Sequence, residues 1–126
     1  MIVTILQGLV GLSGLFLAGL GARTMFVPKS MVEILDVEMK TAAGFNTVRG
    51  FLGGLFIGCS IVLATGLITG DTTFFLAVAM IMSIVVAGRW VGIAVDGFDK
   101  KVVFPLIAET VMVTIFIGAY TQLIPV

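Results

Sequence analysis

The sequence predicts an all-α fold: a polytopic membrane protein, an antiparallel bundle of four transmembrane helices with a short interfacial helix between the first and second. Composition leads there first. Of 126 residues, 60% are hydrophobic and 11% charged, with a mean hydropathy of +1.26, whereas a soluble domain carries roughly 25% charged residues. Second, the charges are bunched and leave long apolar runs between them, each close to the roughly 20 residues that cross a hydrocarbon core as a helix. Third, turn-forming residues fall between those runs.

Residues 2–22 carry no charge and form the first predicted span. A cleaved signal peptide is the rival reading, but a basic leader is missing and the apolar run exceeds the usual signal core. The connection after it, from Arg23 to Lys40, is the one long link. It holds Pro28 and then Ser30 and Glu33 at capping-box spacing, with Met31, Ile34 and Leu35 on one helical face, so a short helix lying in the interface is expected and a solvated loop is the alternative. The second span covers residues 41–67. Thr69-Gly70-Asp71 then breaks the chain, with Asp71 a candidate N-cap for the third span, residues 72–95. Asp96-Gly97 ends that helix with a glycine cap, and Pro105 fits the first turns of the fourth span, residues 102–124. Residues 1–126 form one transmembrane domain without linkers or a convincing repeat.

Arg23, Lys29, Lys40, Lys100 and Lys101 all lie in the first and third connections, while the other side offers only Asp71 and the chain ends. The positive-inside rule therefore puts both of those connections in the cytoplasm and both termini outside. Seven basic residues balance seven acidic ones, so nucleic acid has no basic footprint to bind. With no histidine and a single cysteine, Cys59, the usual zinc, haem and copper ligand sets cannot be built, and no cofactor is expected.

Two features remain. Ala42, Asn46, Gly50, Gly54 and Gly58 recur every fourth residue on the second span, and Gly14, Ala18 and Ala22 on the first. Small residues let helices approach closely in lipid, so Gly50, Gly54 and Gly58 are expected to pack helices, ahead of forming a dimer face or a ligand groove. The second feature is a layer of intramembrane charge. At about 1.5 Å per residue, Arg49 lies about 13 Å below Lys40, Arg89 about 10 Å below Asp96 and Glu109 about 12 Å below Lys101. Asn46 is one turn from Arg49, and Asp96 shares a face with Arg89. Intramembrane charges are costly and seek partners, so Asn46, Arg49, Arg89, Asp96 and Glu109 are expected to border one polar cluster; independent snorkelling of the arginines is the alternative. Trp90 and Tyr120 read as interfacial anchors.

Pro28, Asn46 with Arg49-Gly50, Gly88-Arg89, Asp96-Gly97 and Glu109 together resemble the bacterial family catalogued as domain of unknown function 4345, over essentially the whole chain. That family is more distantly similar to the DoxX-like group of small four-helix membrane proteins, some of which are associated with quinone or respiratory functions. The resemblance implies a four-helix protein of the bacterial inner membrane and marks these polar positions, but implies no activity. The leading function class is a non-catalytic module whose polar cluster locks the bundle, binds a lipid-like or quinone-like headgroup, or supports a homo-oligomer or membrane complex. A lipid- or quinone-directed enzyme using Glu109 as acid or base comes second, and proton or ion passage in an oligomer third.

Overall fold

The computed structural model describes residues 1–123. They are helical wherever the sequence is long and apolar, and no strand occurs among them. Four helices have the length and apolarity to cross a membrane: α1 (Ile2–Phe26), α2 (Ala42–Thr69), α3 (Thr73–Asp96) and α4 (Val103–Leu123). The end expected for the fourth span, Ile124, lies outside the described residues. Large apolar side chains such as Leu15, Ile68, Val95 and Phe104 are more than two-thirds exposed, a surface that water would not tolerate in such quantity and lipid does.

The first helix runs four residues beyond its expected end, past Arg23. It stops at Val27, because the residue before a proline is pushed out of the helical region; Val27 sits at φ −132°. Pro28–Met31 is a 3-10 turn followed by a single α turn, Val32–Leu35, which ends at Asp36 in the left-handed region. The short interfacial helix is thus present as little more than two turns. Its capping box is absent. Ser30 lies inside the proline-initiated turn, so its hydroxyl donates back to the Val27 carbonyl at 2.6 Å and accepts from Arg23 Nε at 2.9 Å instead of capping a helix with Glu33.

Local chemistry sets the other ends. Thr41 caps α2 by accepting the Gly44 amide at 3.1 Å. Asp71 accepts the Thr73 amide at 3.0 Å from one position outside the assigned cap of α3. Gly97, at φ 93°, closes α3 with an amide bond to the Ile93 carbonyl, a conformation that favours glycine. Asp99 then caps a 3-10 turn, Lys100–Val102, that leads into α4. Within α2, Val48–Gly53 is π-helical.

The chain divides into two compact units. In Gly11–Ala64, α1 meets α2 where backbones come close. A Cβ on Gly21 would lie 2.9 Å from the Ile57 nitrogen, and one on Gly53 would lie 3.0 Å from the Met25 nitrogen. At the four-residue ridge, by contrast, a Cβ on Gly50, Gly54 or Gly58 meets nothing within 4 Å. Position 53 is three residues from 50 and faces α1, whereas the ridge lies on another side of α2. Small residues permit close packing but do not dictate which of two glycine-bearing faces takes it.

The other unit comprises Met1–Val10 and the described part of Thr65–Val126. Its centre is the α3–α4 hairpin, with Phe75, Val78, Ala79, Phe116 and Ala119 almost wholly buried. The two helices are antiparallel because their connection is a few residues long. Gly66, at the end of α2, makes room for the ring of Phe75: an added Cβ would lie 2.7 Å from it.

Candidate functional site

The hairpin carries the charges. Val85, Gly88, Arg89, Gly92, Ile93 and Asp96 follow the spacing of a single helical face on α3, and that face lines a cleft of about 510 Å³, completed by Gly97, Asp99 and Val102. Ligand pockets typically enclose about 300–1,000 Å³. The wall is open at its glycines, for a Cβ added to Gly88 or Gly92 would find empty space.

Arg89 is fixed from the facing helix. Its Nε lies 3.2 and 3.1 Å from the two oxygens of Glu109, and its Nη2 lies 2.7 Å from Oε1. This fork geometry is the strong form of a guanidinium–carboxylate contact. Glu109 is 13% exposed and Arg89 37%, so the pair is anchored at its acidic end and open at its basic end. Nη1 of Arg89 has no partner among the described residues. Asp96 is exposed on the same cleft wall.

Arg49 does something the sequence reading did not anticipate. Its Nη1 donates to the carbonyl of Met25 at 2.8 Å and to that of Phe26 at 3.4 Å. These are among the last carbonyls of α1, which lack partners inside their own helix, and a cation there also offsets the negative end of the helix dipole. Arg49 is therefore a cap supplied by a neighbouring helix, projecting from the π-helical stretch of α2. Asn46 is exposed one turn earlier. The structure thus joins Arg89 to Glu109 and puts Asp96 on the same cleft as Arg89, while the bonds of Arg49 go to α1. Asp99, Gly88 and Gly92 are cleft residues that sequence reasoning missed; the spacing Gly88–Gly92–Asp96 around Arg89 was the available signal. Among the described residues no group of three potential ligands could hold a metal ion.

Four apolar helices of spanning length, with a forked ion pair set inside two of them, define a multi-pass membrane protein. A family model matches residues 5–120, and the chain belongs to that family, described as domain of unknown function DUF4345. The match includes all five polar positions singled out in the sequence. No curated protein and no solved structure matches the chain.

Proposed function

We propose that the protein is a non-catalytic membrane module that holds the polar head of a lipid-like or quinone-like amphiphile in the cleft along α3 and the turn that follows it. The observation that carries this reading is Arg89: Glu109 fixes its guanidinium on one edge, and the other edge stands free at a cleft with apolar walls. Packing alone does not account for the pair, since replacing a buried ion pair by apolar side chains is often neutral or stabilising. Catalysis with Glu109 as base is less well supported, because both its oxygens already face Arg89 donors. Asn46 and Arg49 fall outside this proposal. Arg49 serves α1.

Native mass spectrometry of the purified protein tests it. Arg89→Met is expected to lose the co-purifying lipids that the wild type retains. Arg49→Met, which removes only the cap, should keep them while losing about 1 kcal/mol of stability. Retention of the same lipids in the same ratio by Arg89→Met would end the binding hypothesis.

The one-sided basic residues support a topology with both termini outside and the cleft at the cytoplasmic leaflet of a bacterial inner membrane. In a Cys59→Ser background, a cysteine at position 70 should react with an impermeant external reagent and one at position 30 should not; the reverse pattern would invert the topology.

A further inference from the structure

Arg89 and Glu109 cancel each other's charge, so the net character of the cleft is set by what else lines it. That is Asp96 and Asp99. Asp96 has no hydrogen-bond or ion-pair partner among the described residues, and Lys100, four residues on, does not bridge to it. It is also the last residue of a 24-residue helix, where a carboxylate adds to the negative end of the dipole instead of offsetting it. The outer end of the cleft therefore attracts a cation.

Seven residues inward, Arg89 offers the free donors of Nη1, which suit an acceptor such as a phosphate oxygen. Further inward the wall is apolar at Val85, with an open face at Gly88. Along about 16 Å of helix the cleft thus runs from apolar, through donor, to acceptor.

We propose, building on the headgroup-binding reading above, that this order selects an aminophospholipid: an acyl-bearing phosphate with a primary ammonium beyond it. The phosphate meets Nη1 of Arg89, the ammonium meets Asp96 with Asp99 beside it, and the acyl end lies along Gly88 and Val85. Phosphatidylglycerol supplies the phosphate but no cation, and so leaves two carboxylates facing an anion. Phosphatidylcholine has a cation without an N–H donor. Quaternary ammonium groups are commonly held by aromatic cages, and no aromatic side chain lines this cleft.

The test uses the full chain in nanodiscs of equal parts phosphatidylethanolamine, phosphatidylglycerol and phosphatidylcholine, with bound lipids counted by native mass spectrometry. The wild type should enrich phosphatidylethanolamine over phosphatidylglycerol by about tenfold, the size of one hydrogen bond to a charged group. Asp96→Asn should bring the ratio near parity without lowering the total lipid bound, and Asp96→Glu should retain the preference. Because Asp96 is exposed at a helix end, folding does not depend on it. A wild type that binds phosphatidylglycerol or phosphatidylcholine as well as phosphatidylethanolamine, or an Asp96→Asn variant that keeps the preference, overturns this inference. If Arg89→Met still loses its lipid in that case, headgroup binding stands without amine selection; if it does not, both proposals fall together.

Discussion

Glu109→Ala is expected to destabilise the protein by about 2 kcal/mol in detergent melts. Removing one partner of a fully buried ion pair costs about 3–5 kcal/mol, because the remaining charge is stranded. Here the stranded group would be Arg89, whose side chain is 37% exposed, so solvent and headgroups relieve part of that cost. Arg89→Met combined with Glu109→Ala should recover most of the loss, since no lone charge remains. The coupling energy of this mutant cycle should be about 1–2 kcal/mol. Strictly additive effects would show that the fork contributes nothing as a pair.

The second large effect belongs to glycine. Gly21→Ala places a methyl group 2.6 Å from the Ile57 side chain and 2.9 Å from its backbone nitrogen, and a backbone atom cannot rotate away as a flexible side chain can. The cost should be about 1–3 kcal/mol, the range for overpacked interiors. Gly50→Ala and Gly58→Ala, made at the more conspicuous positions, should stay within about 0.5 kcal/mol of wild type. Equal destabilisation at positions 21 and 50 would mean that α1 and α2 pack on a different face from the one described.

These two experiments fall on either side of the line between what the sequence discloses and what it does not. Four helices were legible to within a few residues because spanning length and uninterrupted apolarity are properties of single segments. The partnership of Arg89 and Glu109 could be anticipated on energetic grounds, since an isolated charge in lipid is costly. The role of Arg49 could not. Its acceptors are backbone carbonyls at Met25 and Phe26, and every helix end has such carbonyls, so side-chain identities give no hint. Gly53 was hidden in a similar way: it adjoins Gly54, and which neighbour faces α1 depends on the rotation of the whole helix. Ser30 and Glu33 had the right spacing for a cap, but a proline two residues before Ser30 decided the local geometry first.

The π-helical stretch Val48–Gly53 has an evolutionary consequence. Its i to i+5 bonding accommodates one residue more than an α turn would, as though a single-codon insertion had been absorbed without disturbing the helix on either side. Deleting one residue there would restore an ordinary α turn and leave Ala42–Thr47 and Gly54–Thr69 in their present phase. The approach of Ile57 to Gly21 would survive that change, while Arg49, which lies inside the π stretch, would lose the widened turn from which it reaches the Met25 and Phe26 carbonyls. The widened turn thus separates two properties of one helix, how it packs and what it caps, so that each can change without the other.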